Sequence, residues 1–214
     1  MENFKPLQPN KVYHIFSHAV NNTNIFLNNG NYEFMLRRWR ELSEGSFNTF
    51  AFCQMANHFH LCVQTLPIPH SEDNLLINTP RHQDNVTFHS KKINNFLSSY
   101  TQAFNKQQNR KGALFRSRFG RIEVMNHKYF CDLICYIHHN PIHHFAYDNY
   151  NDWQFSSHRH FLSSTEWDFI QKDVVINRFG GLKGFENYHQ EYKLKKRHVP
   201  YEESVQEIFK QMQV

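Results

Sequence analysis

Two histidines separated by a single residue lie in a segment that predicts a β-strand. Side chains alternate between the faces of a strand, so His58 and His60 project from one face while Phe59 and Leu61 point into the core. Two neighbouring imidazoles can hold a divalent cation. In a chain with 16 histidines the same pattern also arises from two hydrogen-bonded histidines on a polar sheet face, and without further signals that is the more common case.

A predicted helix later in the chain carries a phenol and an amide on one face. Tyr136 and Asn140 are four residues apart, which places them on neighbouring turns of the same helical face. The Asn140 carbonyl oxygen is a hard ligand that can complete a metal site begun by His58 and His60. Tyr136 would then stand one turn from the metal, although an isolated tyrosine of this kind is more often a core or interface residue.

The elements that must position these side chains follow from hydrophobic periodicity and turn signals. Strands are predicted over 12–20, 47–55, 59–65 and 114–125, and helices over 31–44, 87–107 and 127–139. Pro141 is expected to end the last helix, and the polar segment 67–85 to form a loop. This order predicts an α+β fold, a ferredoxin-like (RRM-like) antiparallel sheet with helices packed on one face.

The chain divides into two parts at about residue 145. Residues 1–145 contain the predicted sheet and the tyrosine helix, and residues 146–214 are expected to form a mostly helical C-terminal extension. The extension ends with a basic stretch over 193–197 and a short helix. The basic stretch suits either a DNA stem or a solvated helix, and the two interpretations are equally supported.

Composition narrows the class of protein. The 214 residues are 40% hydrophobic and 20% charged, which excludes collagen-like, low-complexity and fully disordered chains. No apolar run approaches the roughly 20 residues that span a bilayer, and Met1–Lys5 lacks the features of a signal peptide, so a cytoplasmic protein is expected. The four cysteines are expected to be free buried thiols.

A long segment without acidic residues is the candidate nucleic-acid surface. The formal charge is +5, and no Asp or Glu occurs between Asp84 and Glu123. Basic side chains around Phe115 and Phe119 suit phosphate contact combined with base stacking. The alternative is a solvated helix face followed by an ordinary strand. The candidate DNA-binding residues are Lys106, Arg110, Lys111, Arg116, Arg118 and Arg121.

Four sequence blocks resemble, in kind and in order, those of the REP-associated branch (RAYT) of the single-tyrosine HUH transposases. Residues 51–61 resemble the His-hydrophobic-His signature, and 136–141, read Tyr-Ile-His-His-Asn-Pro, resemble the tyrosine motif. Residues 12–15 and 112–119 match that branch as well. With Trp153 and the Ser-Ser pair that follows, the resemblance covers about residues 11–164.

The chain departs from the family pattern at a few positions. His18-Ala19 replaces a common Arg-Gly, and Ala56 replaces a common proline before Asn-His. Neither change is expected to remove a metal ligand or the nucleophile, so substrate preference is more affected than chemistry. His143 and His144, after the tyrosine motif, are expected to be exposed or phosphate-facing rather than ligands.

The resemblance implies a metal-dependent enzyme that cuts and joins single-stranded or hairpin DNA. It assigns Tyr136 as the nucleophile that forms a 5′-phosphotyrosine link and leaves a free 3′-hydroxyl. It assigns His58, His60 and Asn140 as ligands of Mg²⁺ or Mn²⁺, within residues 1–145 as the catalytic domain. No nucleotide cofactor and no membrane partner are expected. Related proteins allow either a monomer or a homodimer in which the tyrosine acts in trans.

Two other functions fit the same residues. The first is a nucleic-acid-binding protein that has kept the fold and lost turnover. The second is a zinc hydrolase built on the abundant histidines, which would bind zinc tightly and keep its activity after Tyr136→Phe.

Overall fold

A four-stranded antiparallel sheet forms the centre of the molecule. The computed structural model describes residues 6–68, 88–116, 119–144, 149–163 and 167–196. The strands are β1 (Val12–His18), β2 (Phe47–Met55), β3 (His58–Thr65) and β4 (Gly120–Glu123), in the spatial order β2-β3-β1-β4. This order, with antiparallel pairing throughout, is the predicted ferredoxin-like arrangement.

Six helices surround the sheet in the described part of the chain. They are α1 (Asn29–Ser43), α2 (Phe88–Gln107), α3 (His127–His143), α4 (His158–Leu162), α5 (Lys172–Arg178) and α6 (Leu182–Lys196), with 3-10 helices at Val20–Asn22 and Tyr150–Asp152. The fourth strand, Gly120–Glu123, is shorter than the predicted 114–125. Among the described residues before Gly120, Phe115 forms an isolated bridge with Ala19. Most of the predicted loop lies outside the described residues.

The prediction that Pro141 ends the tyrosine helix is wrong. The helix begins after Asn126, whose side-chain oxygen accepts the Tyr129 N–H, and runs through Pro141 to His143. Proline removes only its own N–H donor, and the last turn still closes because the His144 N–H donates to the Asn140 carbonyl at 3.1 Å. Asn140 therefore stays in helical register with Tyr136.

Helices cover both faces of the sheet. On one face lie α1 and α2: Trp39 of α1 donates to Thr49 at 3.0 Å, and Phe96 of α2 contacts Phe59. The expectation that helices pack on one face of the sheet holds for α1 and α2. The other face carries α3, with the Tyr136 ring 5.3 Å from that of His60. Side-chain alternation along β3 thus sends its odd residues into the α1/α2 core and its even residues toward α3.

The segment after α3 packs against the edge strand β2. The Trp153 indole donates to the Gln54 carbonyl at 2.8 Å, and the Phe52 N–H donates to the Ser157 hydroxyl at 2.9 Å. Further along, the Gln171 N–H donates to the Thr49 carbonyl. The described part of the predicted extension is mostly helical and shares the core of the sheet.

One expectation from composition is met within the described residues. All four cysteines are free and buried, as predicted. Among the helices of the described ranges, none combines the length and apolarity needed to cross a bilayer.

Candidate active site

Four histidines from two paired strands share the sheet face under α3. The antiparallel register pairs His18 with His58, and Phe16 with His60, so the even residues of β1 lie beside those of β3. The His14 Nε2 atom is 2.9 Å from His60 Nδ1, and the His18 and His58 rings stack at 4.9 Å. His14 and His18 were not predicted as site residues. Their spacing on β1 places them on one strand face, but only the register shows that this is the face of the His58–His60 pair.

A glycine makes room for this cluster. A Cβ atom on Gly120 of β4 would lie 2.2 Å from the Phe16 ring. Because glycine has no side chain, the Phe16 ring can cross β4 and pack 4.8 Å from the His14 ring and 5.9 Å from the His60 ring.

The tyrosine helix brings Tyr136 and Asn140 to the same face. Asn140 Oδ1 is 3.1 Å from His58 Nε2, and the Tyr136 ring lies 5.3 Å from the His60 ring and 5.9 Å from the His14 ring. The Asn140 δ-amide donates to the Tyr136 carbonyl at 3.3 Å, which turns Oδ1 toward His58. The four side chains singled out from the sequence therefore converge within one chain.

The donor atoms fit a divalent cation. His60 Nε2 is buried and has no hydrogen-bond partner among the described residues. Leaving such an atom unpaired costs about 1–3 kcal/mol, so a ligand for it is favourable. If His60 Nδ1–H donates to His14, the Nε2 lone pair faces outward, and an outer hydrogen bond of this kind is typical of metal-bound histidine. His58 Nε2 and Asn140 Oδ1 offer a second nitrogen and a hard oxygen.

Burial keeps these imidazoles neutral. It lowers the pKa of His14 and His58 to about 3 and that of His60 well below its usual value. The pKa of His18 is lowered by burial and further by the nearby Arg116 cation. Neutral imidazole is the form that binds a metal, so the cluster is ready for ligation at pH 7.

The end of α3 encloses the site. The His144 ring lies 4.5 Å from the His58 ring, and the His143 ring lies 5.8 Å from that of Tyr136. Both histidines, which were expected to be exposed or phosphate-facing, are half-buried. Tyr136 is only 2% exposed and Asn140 is fully buried. A large substrate can reach the Tyr136 hydroxyl only after the residues that cover it have moved.

The predicted basic residues that the structure describes lie on more than one part of the molecule. Arg116 is exposed and donates its backbone N–H to the His18 carbonyl at 3.0 Å, at the border of the histidine cluster. Arg121 lies on the α1/α2 face, where it donates to Ser90 at 3.1 Å and covers the Phe119 ring.

The remaining basic residues lie around the end of α2. Arg110 bonds to Asn105 and to the Ala113 carbonyl, which ties down the loop after α2. Lys106 and Lys111 are exposed on either side of it. Arg118 lies outside the described residues.

Two comparisons with known proteins found REP-associated tyrosine transposases among the similar proteins. No family model matches the chain. A putative REP-associated tyrosine transposase of Haemophilus influenzae is 26% identical over 113 residues, which span 52% of this chain and 58% of the length of that relative. A solved REP-associated tyrosine transposase bound to a REP hairpin matches with a TM-score of 0.59 and 17% identity, over 77% of this chain and 87% of that one.

A more distant structural match is a bacterial tRNA(His) guanylyltransferase-like protein in complex with GTP. The match is 13% identical, covers 69% of this chain and 71% of that one, and has a TM-score of 0.36. The sequence relative agrees with the resemblance that the motifs indicate, and the solved transposase structure shows a similar fold.

Proposed function

We propose that this chain, which is related to the REP-associated tyrosine transposases by sequence and by fold, cuts and joins single-stranded DNA through a tyrosine. The observation that carries this proposal is the convergence of Tyr136 and Asn140 from α3 with His58 and His60 from β3 on one sheet face. Residues 1–145 would form the catalytic domain and residues 146–214 an extension, whose described part packs against β2.

The proposed reaction transfers a phosphoryl group to the chain. The Tyr136 oxygen bonds to the scissile phosphorus, the P–O3′ bond breaks, and the product is a 5′-phosphotyrosine with a free 3′-hydroxyl. The phenol loses its proton to a base and the departing 3′-oxygen gains one, so the step is balanced. A later 3′-hydroxyl reverses the step and joins strands without a nucleotide cofactor, because the phosphodiester energy is kept in the covalent link.

The residues around the phenol supply what it lacks. A tyrosine with an ordinary pKa near 10 is protonated at pH 7 and is a poor nucleophile. His58, His60 and Asn140 would hold Mg²⁺ or Mn²⁺, which when bound supplies Lewis-acid stabilisation of phosphate oxygens. The neutral imidazoles beside the ring would help to orient the phosphate. Because Tyr136 and His60 meet within one chain, a monomer would suffice; a homodimer with exchanged helices is the alternative.

We propose hairpin or palindromic single-stranded DNA as the substrate. This rests on the relative that was solved with a REP hairpin and on Arg116, an exposed cation beside His18. Lys106, Arg110, Lys111 and Arg118 remain candidate phosphate contacts. Arg121 is the least favoured, because its guanidinium packs on the opposite sheet face.

A second candidate is a DNA-binding protein of the same fold without turnover. The enclosure of Tyr136, at 2% exposure, favours it, since a buried phenol cannot attack DNA unless the site opens.

One experiment separates the candidates. The full chain is incubated with hairpin-containing single-stranded DNA and Mn²⁺, and denaturing gels detect a protein–DNA adduct. The cleavage hypothesis predicts that the wild type forms an adduct and that Tyr136→Phe does not. The DNA affinity of this variant should stay within a few-fold of the wild-type affinity. Tyr129→Phe, a buried tyrosine on the same helix, is the matched control and should leave the adduct intact. A gel shift without an adduct would support the DNA-binding protein without turnover. Cleavage that persists in Tyr136→Phe would support the zinc hydrolase.

A further inference from the structure

A second histidine cluster lies on the far side of the tyrosine helix, between three helices. His138 of α3, His158 of α4 and His189 of α6 are 0%, 3% and 0% exposed. One ring nitrogen from each lies within 4.8 Å of the others. In the described residues this is the one group of three or more histidine, cysteine or carboxylate side chains brought so close together.

The outer nitrogens of this cluster are already bonded in the pattern of metal ligands. His189 Nδ1 donates to the Phe185 carbonyl at 2.8 Å, which leaves the Nε2 lone pair of a neutral ring pointing at His138 Nδ1, 2.8 Å away. His138 Nε2 lies 2.9 Å from the Ser157 hydroxyl, which in turn lies 3.2 Å from the Phe52 carbonyl. Metal-bound histidines typically donate their second N–H to a carbonyl or hydroxyl in this way.

The third histidine has an unused ligand atom. His158 Nδ1 is buried and has no hydrogen-bond partner among the described residues. Its ring packs 5.2 Å from the His138 ring and 5.0 Å from the His189 ring. An unpaired buried nitrogen costs free energy in a folded protein unless a ligand occupies it.

The charge state of the cluster suits ligation. Burial lowers the pKa of His158 and His189 to about 3 and holds that of His138 well below its usual value. All three rings are therefore neutral at pH 7, the form that binds a cation, and an ion would replace the hydrogen bond between His138 Nδ1 and His189 Nε2. Three imidazoles and no hard oxygen favour zinc over Mg²⁺ or Mn²⁺.

We propose that His138, His158 and His189 form a structural zinc site that fastens α4 and α6 to the tyrosine helix. Zinc lies about 2.0–2.1 Å from each imidazole nitrogen, so two ligand atoms on one ion are at most about 4.2 Å apart. The three nitrogens lie within 4.8 Å of one another, so a small shift of the rings would bring them onto one ion. His138 lies two residues from both Tyr136 and Asn140, so the ion would set the position of α3 over the sheet. The site is separate from the mixed nitrogen and oxygen set on the other side of the helix, and its presence does not depend on DNA cleavage.

Metal content and thermal stability test the proposal on the full chain. The wild type, purified without added chelator, should contain about one equivalent of zinc by elemental analysis, and zinc X-ray absorption should show three imidazole ligands. The double variant His58→Ala/His60→Ala should keep this zinc. The variants His158→Phe and His189→Gln should lose it.

A control on α4 guards against general disruption. His160→Asn changes a histidine of the same helix and keeps an acceptor for the Trp167 N–H, so it should retain zinc. After removal of metal, zinc at about 100-fold over its Kd should raise Tm by roughly 5–10 °C in the wild type and in His58→Ala/His60→Ala, but not in His158→Phe.

Several results would overturn the proposal. Wild-type protein that binds no zinc and shows no Tm shift would do so even if the variants fail to fold. Zinc retained by both His158→Phe and His189→Gln would do so as well, as would zinc lost with His58 and His60, since the ion would then belong to the other site.

Discussion

His14 is predicted to control metal affinity without being a ligand. Its Nε2 atom is 2.9 Å from Nδ1 of His60, and this contact fixes which His60 nitrogen carries the proton. In His14→Phe the His60 Nδ1–H loses its acceptor, at a cost of about 1–3 kcal/mol in a buried site. Because the other tautomer would place the proton on Nε2, the atom needed for the metal, we expect Mn²⁺ affinity to fall about 10- to 100-fold.

The substitution is chosen to spare the fold. His14 is buried, its Nδ1 has no hydrogen-bond partner in the described part of the chain, and its ring already packs against Phe16. Phenylalanine therefore removes an unpaired buried atom and keeps an aromatic ring. Ser17→Ala, on the opposite face of the same strand, is the matched control and should leave Mn²⁺ affinity unchanged.

Calorimetric titration of Mn²⁺ into the full chain measures the effect directly, with His58→Ala/His60→Ala as the baseline for binding elsewhere. A loss of 10- to 100-fold corresponds to about 1.4–2.7 kcal/mol. Adduct formation by His14→Phe should recover at saturating Mn²⁺, because the nucleophile is intact. Unchanged Mn²⁺ affinity would refute the idea that His14 orients His60, and loss that no Mn²⁺ concentration restores would point to a role in the chemistry instead.

Three further predictions follow from the same contacts. In the presence of a chelator, Tm should fall as pH drops from about 7 to 5. Buried histidines such as His58 have a pKa of about 3 in the folded state and 6.5 in the unfolded state, so their contribution to stability is fully present above pH 6.5 and falls by on the order of 2 kcal/mol each by pH 5. A flat Tm over that range would contradict the burial of these histidines. Gly120→Ala should lower stability by about 1–3 kcal/mol in urea unfolding, because its Cβ meets the Phe16 ring, and an unchanged midpoint would show that the ring moves freely. Arg116→Ala should weaken hairpin DNA binding and reduce its salt slope by about 1, whereas Arg121→Ala should change neither; equal effects would place the DNA elsewhere.

The fold was predictable because its elements carry strong periodic patterns. Trp39 in α1 and Phe96 in α2 recur with their apolar neighbours at helical spacing and are buried against the sheet. The end of α3 was not predictable from Pro141, because local proline geometry was outweighed by the packing that holds Asn140 against His58. The position of α3 on the second sheet face depends on tertiary contacts that no single segment encodes.

The first site was visible in the sequence because its residues lie in two short motifs. His58 and His60 share a strand face, and Tyr136 and Asn140 share a helix face, so local periodicity groups each pair. His14 was not predictable from its own segment, because its contact with His60 depends on strand register, which is set across the sheet.

The second histidine cluster had no sequence signature. His138, His158 and His189 come from three helices, two of them in the segment after the tyrosine motif, and their spacing matches no local metal motif. Only the packing of α4 and α6 against α3 brings their nitrogens together.

The most direct test of the central claim is to identify the residue that becomes linked to DNA. Wild-type protein is reacted with a single-stranded hairpin in Mn²⁺, digested with protease and nuclease, and the nucleotide-bearing peptide is sequenced by mass spectrometry. The proposed function predicts a 5′-phosphate linked to Tyr136 and a matching free 3′-hydroxyl on the released strand. A nucleotide on any other residue, or cleaved DNA with no protein link, would contradict it.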